Sequence, residues 1–182
     1  MKRTALPALV LALALGLSGC GDDGDDTGDA TGNGPTAATT PTLSASATPC
    51  TPAGTGTTDM ATKPVPVIPK TPAPAETTVT DVVCGTGEEA KDGSDVEVKY
   101  VGVLYADGKE FDSSWSRGPA ETLPFRIGGG VITGFSKGVT GMKVGGRRQV
   151  VIPPAEGYGD QANGQIPAGS TLVFVIDLVT VG

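Results

Sequence analysis

The 182-residue chain contains no histidine, and its eight aromatic residues all fall between Tyr100 and Phe174. Without imidazole it cannot build a Ser-His-Asp triad, a Cys-His pair, an HExxH zinc site or a His-ligated haem. Without aromatics before residue 100, only the C-terminal half has the large side chains that a core needs. Basic residues are also scarce, 13 against 20 acidic, and the net charge of −7 divides as −3 over residues 1–78 and −4 over residues 79–182. Neither part has a basic face, so nucleic acid and anionic headgroups are poor electrostatic partners. Neutral molecules and other proteins remain. Cysteine is limited to Cys20, Cys50 and Cys84, too few to make a zinc site without histidine. Two nucleotide-like motifs also fail. Residues 85–90 spell GxGxxA, but Asp92-Gly93 and a strand follow where a phosphate-binding helix belongs. Residues 129–134 have P-loop glycine spacing, but Phe135 stands where the lysine is required. No metal and no cofactor are expected.

What is present begins with an address. Lys2 and Arg3 precede a largely apolar run over residues 5–17, too short to span a bilayer, which ends in Leu17-Ser18-Gly19-Cys20. The pattern reads as an export signal over residues 1–19. Its last four residues resemble a bacterial lipobox, which implies lipid on Cys20 and an extracytoplasmic protein anchored to the cell membrane. Residues 20–78 follow as a tether. Gly, Pro and Thr supply 31 of the 58 positions from 21 to 78, too little apolar surface to offset chain entropy. A flexible coil of this length spans roughly 45 Å, and the five prolines of residues 63–74 stiffen it. The acidic run at residues 22–26 lacks the glutamate that an EF-hand loop needs and reads as a solvated spacer. Outside the cytoplasm, Cys50 and Cys84 invite a disulfide, a pairing that the residues alone leave open.

From Val79 onward the chain alternates with period two. Val96, Val98, Tyr100, Gly102 and Leu104 share one face of a strand, with Glu97 and Lys99 on the other. Asp107-Gly108 signals a hairpin, and further strands are expected through Glu110, over residues 147–152 and over residues 172–178. Phe135, Val139 and Met142 share a face at helical spacing, which predicts one short helix over residues 134–142. Arg147 and Arg148 are expected as one exposed charge and one partly packed stem. The pattern is α+β, a curved antiparallel sheet with one helix packed on it.

Six blocks in order carry a resemblance: residues 98–102 (VKYVG), 107–114 (DGKEFDSS), 131–135 (VITGF), 141–148 (GMKVGGRR), 152–159 (IPPAEGYG) and 171–174 (TLVF). In order and spacing they are similar to the FKBP-type peptidyl-prolyl cis-trans isomerases over residues 79–182. The resemblance implies a five-stranded antiparallel sheet wrapped around a short helix. It places Tyr100, Phe111, Asp112, Leu123, Phe125, Val131, Ile132, Phe135, Tyr158, Ile166 and Phe174 around a proline-binding pocket. Phe135 takes a floor position where many relatives have Trp, and Leu123 a wall position that is often Phe. The implied catalytic set is Phe111, Asp112, Ile132 and Tyr158, with Arg117 holding the Asp112 carboxylate. Tyr105 and Trp115 are left without a site role.

The implied reaction needs no histidine, because rotation about an X-Pro bond makes and breaks no bond to another group. The expected protein is a monomeric rotamase acting on proline-containing exported polypeptides and binding FKBP-type macrolide inhibitors. From the residues alone, Asp112 reads better as a turn cap and the rings as plain core, and it is the six ordered blocks that reverse this. A chaperone or binding lipoprotein of the same fold, with little turnover, is the alternative. Radiolabelled palmitate should enter the chain and fail to enter the Cys20→Ala variant; label that survives the substitution would remove the anchor.

Overall fold

The computed structural model describes residues 50–52 and 56–182. The expected export signal, Cys20 and the first part of the expected tether lie outside the described residues. The order of elements is β1 (Thr78–Val83), β2 (Asp95–Leu104), β3 (Glu110–Ser113), β4 (Leu123–Arg126), α1 (Thr133–Val139), β5 (Arg147–Ile152), a 3-10 turn (Pro154–Glu156) and β6 (Leu172–Val181). Every strand pairing is antiparallel, and the sheet runs β1-β5-β6-β2-β3.

The sheet has six strands, not the five expected, for a local reason. β4 pairs with β2 over Asp95 to Val98, and β3 pairs with it over Val101 to Val103. The two therefore share one edge of β2, as a single edge strand interrupted by the excursion of residues 114–122. The front face follows the expected alternation. Val96, Val98, Tyr100 and Leu104 from β2 join Leu172, Phe174, Ile176 and Leu178 from β6 in the main core. α1 covers this face and is shorter than predicted, although Phe135, Val139 and Met142 are all buried. Its approach to β5 depends on two glycines one turn apart. A Cβ on Gly134 would lie 2.4 Å from Ile152, and one on Gly138 would lie 2.7 Å from Val150.

The back face is the larger departure. Val101, Val103, Val151 and Val173 form a second buried cluster, packed against Ile68, Tyr105 and Trp115. Ile68 belongs to the segment expected to be a disordered tether. From Gly56 onward that segment instead lies along the back of the sheet as a strap. Its polar backbone finds partners there. Gln149 accepts from the Val67 N–H (2.8 Å) and donates to its carbonyl (2.9 Å), while the single proton of the Tyr105 hydroxyl goes to the carbonyl of Thr71 (2.6 Å), with that of Pro69 also within reach (3.2 Å). Cys50 and Cys84 are joined by a disulfide, with Cα atoms 5.9 Å apart. This bond fixes the far end of the strap to the residue after β1.

Arg147 differs from expectation because the strap covers the face on which an exposed charge would have stood, while Arg148, on the opposite face, is buried more deeply than a partly packed stem beneath the end of α1. Arg147 is fully buried and uses its whole guanidinium. Nε and Nη2 donate to the Asp177 carboxylate (2.5 and 2.7 Å), Nη1 to the carbonyls of Thr57 (2.6 Å) and Asp59 (3.0 Å), and Nη2 also to Thr62 (3.1 Å). Arg148, also buried, pairs with Asp81 (2.6 Å) and donates to the carbonyls of Gly138 and Thr140 at the end of α1. A buried guanidinium is tolerated only with its donors satisfied, and an extended Pro/Thr-rich chain with free carbonyls is a suitable partner.

A fragment that begins at Val79 should therefore be less stable than residues 50–182. It loses three acceptors of Arg147 and the cover of the valine cluster, for an expected cost of about 3–5 kcal/mol after the entropy of ordering the strap is discounted. Urea titration of both fragments checks this, and coincident midpoints would mean that the strap contributes nothing.

Candidate functional site

A cavity of about 150 Å³ opens on the front of the sheet, lined by Tyr100, Phe111, Asp112, Leu123, Gly130, Val131, Ile132, Phe135, Tyr158 and Phe174. Its walls come from six parts of the chain. β2 supplies Tyr100, β3 Phe111 and Asp112, β4 Leu123, the start of α1 Ile132 and Phe135, the turn after Glu156 Tyr158, and β6 Phe174. The rings brace one another edge to face. Phe135 and Phe174 have centroids 5.1 Å apart, Phe111 and Phe174 5.5 Å, and Tyr100 and Phe135 5.9 Å. Such pairs add about 0.5–1.5 kcal/mol each beyond burial, so the cup is rigid before any ligand enters. Gly102 is what lets the rings meet, since a Cβ there would lie 2.7 Å from Phe111 and 2.8 Å from Phe174.

One side of the rim is polar. The Tyr100 hydroxyl makes a short hydrogen bond to Oδ2 of Asp112. Arg117 donates through Nη1 to Oδ1 of Asp112 (2.7 Å) and through Nη2 to the Tyr100 oxygen (3.1 Å), and the Ser113 N–H reaches Oδ1 (2.8 Å). Partial burial by itself raises the Asp112 carboxyl, but the bonds from Tyr100 and Arg117, the Arg117 charge and the Ser113 amide outweigh it and hold the group below its ordinary value. The Tyr100 phenol moves up, through burial first and then its bond to Asp112. Asp112 is thus a fixed carboxylate at neutral pH. Opposite it, neither the Tyr158 hydroxyl nor the Ile132 N–H has a hydrogen-bond partner among the described residues, while the Ile132 carbonyl accepts from Phe135.

The structure brings nine of the residues named from sequence to one cavity and sets two apart. Phe125 lies on β4 opposite Val96 and stands behind the wall, packed edge to face on Phe135 with centroids 5.6 Å apart. Ile166 is buried in the main core, where its backbone pairs with Asn163, and does not line the cavity. Arg117 stands outside the wall and acts only through Asp112 and Tyr100. Gly130 lines the cavity without having been named. So does a function of Tyr100 that ring content could not reveal, the orientation of Asp112 through its hydroxyl. Among the described residues there is no group of three or more potential metal ligands.

Comparison with known proteins adds the following. The family model for FKBP-type peptidyl-prolyl cis-trans isomerases matches residues 86–179. A probable FK506-binding protein of Corynebacterium glutamicum is 48% identical over 118 residues, which cover 65% of this chain and 98% of that protein. An FK506-binding protein of Streptomyces anulatus is 47% identical over 122 residues, covering 65% and 97%. Among solved structures, the crystal structure of AtFKBP13 matches with a TM-score of 0.54 at 37% identity, covering 60% of this chain and 96% of that one.

The rim network has a titration signature. A carboxyl depressed in the fold contributes stability that is present above its unfolded pKa and is lost as pH falls through the folded value. Replacing Tyr100 with Phe removes one of the bonds that lower Asp112, so its carboxyl resonance should titrate at higher pH than in the wild type, and acid unfolding should begin correspondingly earlier. An unchanged Asp112 titration in Tyr100→Phe would show that the hydroxyl has no part in holding the carboxylate.

Proposed function

The chain belongs to the FKBP-type peptidyl-prolyl cis-trans isomerase family, and we propose that it turns the X-Pro bonds of exported polypeptides in the aromatic cup by non-covalent means. The observation that carries this reading is the juxtaposition in one small cavity of an apolar floor, a carboxylate held ionised and an unpartnered backbone N–H.

Isomerisation crosses a barrier of about 18–20 kcal/mol because the twisted bond loses amide resonance. The planar amide is the more charge-separated form, so a site that strips water from its carbonyl raises the ground state relative to the twisted one. Phe111, Phe135, Phe174 and Val131 enclose the prolyl ring and exclude water. The Ile132 N–H donates to a carbonyl of the bound peptide, and Tyr158 donates to another. Asp112, held by Tyr100 and Arg117, faces the carbonyl carbon of the residue before proline, whose polarisation changes as the bond twists. Interactions that fit the twisted form better than the planar one lower the barrier. A ten-thousandfold acceleration needs about 5.5 kcal/mol, within the reach of desolvation and two hydrogen bonds.

The proposal extends to location and ligands. The signal at residues 1–19, lipid on Cys20 and a Cys50–Cys84 disulfide are mutually consistent, since disulfides persist outside the reducing cytoplasm. The working form is a monomer, anchored outside the cell membrane, that also takes macrolides of the FK506 type in the same cup.

A protease-coupled assay on a Leu-Pro peptide tests the reading. Asp112→Ala should lower kcat/KM by roughly tenfold or more through loss of a charge-assisted interaction, with a stability loss under about 1 kcal/mol because the ion pair is half exposed. Phe174→Ala should lower activity and also destabilise by about 3 kcal/mol. Equal losses of stability in the two variants would contradict these roles, and a wild-type chain that binds the macrolide without accelerating isomerisation would be a binding module instead.

A further inference from the structure

The excursion of residues 114–122 interrupts the edge strand and carries Arg117, so the rim network depends on where this loop stands. We propose that Lys99 is a positioning residue for the isomerase: it grips the excursion from the back of the sheet and thereby holds Arg117 against Asp112 and Tyr100. The proposal rests on the functional reading above and concerns a residue on the face opposite the cavity.

The geometry follows from strand alternation. Lys99 and Tyr100 are neighbours on β2, so their side chains leave opposite faces of the sheet. Tyr100 points into the cavity. Lys99 lies across from Asp177 on β6, which in turn lies across from Arg147 on β5, and so it belongs to the strap-covered face. Its charge favours the ionised form of Asp177, and its ammonium makes two contacts to the excursion. It stands over the ring of Trp115 at 4.5 Å from the centroid, and it donates to the carbonyl of Pro119 at 2.5 Å. These partners flank Arg117 two residues to either side. The Trp115 ring packs on the valine cluster, and its indole N–H is buried with no acceptor among the described residues, so the ring is held by its faces and not by a hydrogen bond.

On the front, Tyr100 holds the same excursion. There its phenol oxygen accepts from Arg117, and in the plane of the sheet its N–H donates to the Ser114 hydroxyl (3.0 Å) and its carbonyl accepts from the Ser114 N–H (3.1 Å). Two consecutive residues of β2 therefore clasp one loop from both faces of the sheet. Lys63 of the strap adds an outer contact, with Nζ at 3.3 Å from the Ser116 hydroxyl and 2.8 Å from Glu110. Arg117 itself is nearly half exposed. Without the clasp only its half-exposed bonds to Asp112 and Tyr100 and its stacking over the Tyr100 ring would keep both donors on the rim.

The test uses the full chain and its single tryptophan, whose emission reports the excursion directly. Lys99→Met keeps the stem but removes the charge. Acrylamide should quench Trp115 more readily in this variant, and kcat/KM on the Leu-Pro peptide should fall by about three- to tenfold. Lys99→Arg, whose guanidinium also stacks on indole and donates, should restore both readings to within twofold of the wild type. Because Lys99 acts through Arg117, adding Lys99→Met to Arg117→Ala should lower kcat/KM by less than a further twofold, whereas an independent stability effect would multiply through. Trp115→Phe should reproduce the activity loss in part and carries the test if Lys99→Met fails to fold. Activity within twofold of wild type in Lys99→Met or full activity in Trp115→Phe overturns the inference, as do multiplicative losses in the double variant. If Arg117→Ala lowers activity and Lys99→Met does not, only this inference falls. A wild-type chain without isomerase activity removes this inference and the functional reading together.

Discussion

Both faces of β2 and β6 carry apolar side chains, and the need to cover both organises the whole molecule. The front face takes the only α-helix among the described residues, and the cavity is the part of that interface which α1 leaves open. The back face has no helix to take. It is covered by an extended strap whose few apolar groups, Ile68 foremost, meet four valines, and whose carbonyls meet a guanidinium. Burying Arg147 makes the strap necessary in a second sense, because a charge removed from water must find acceptors for each of its donors. The Asp177 carboxylate accepts two of its bonds and the strap supplies the rest.

Cover and catalysis are connected through the interrupted edge strand. A continuous strand beside β2 would have sealed the sheet edge with ladder hydrogen bonds. Instead β3 and β4 share that edge, and the nine residues between them fold outward, carrying Arg117 to the rim and Trp115 to the back. The loop thus has one foot on each face, and the two aromatics without a site role from sequence acquire structural ones on the back of the sheet. Tyr105 ties the strap through its hydroxyl, and Trp115 anchors the excursion. Rigidity in the aromatic cup and fixation of Asp112 come from the same strand, through Gly102 on one hand and Tyr100 on the other.

Much of the site was legible in the sequence because its determinants are local. Val98 to Gly102, residues 107–114 and residues 131–135 each fix side-chain direction within a few residues by strand or helix periodicity, and it was the resemblance of these blocks to one family that gathered them into a site. Phe125 and Ile166 stand behind the cavity wall and not in it, because their exact depth depends on register and loop path, which no local pattern encodes. The strap was not legible for a different reason. Composition judges a segment by the surface it can bury on its own, and a Pro/Thr-rich stretch buries little. The available signal lay elsewhere, in Val101, Val103, Val173 and Val175, apolar residues on the face of the sheet for which the sequence offers no helix.

The sequence by itself determined the antiparallel α+β pattern, the confinement of the aromatic rings to residues 100–174 and the absence of imidazole, because these follow from side-chain type and short-range period. Only the tertiary structure decided that β3 and β4 are one edge in two pieces, that both Arg147 and Arg148 are buried, and that Lys99 and Tyr100 hold one loop between them. Those outcomes depend on which distant groups meet to satisfy a desolvated charge or cover an apolar face, and long-range satisfaction of that kind leaves no period in the chain.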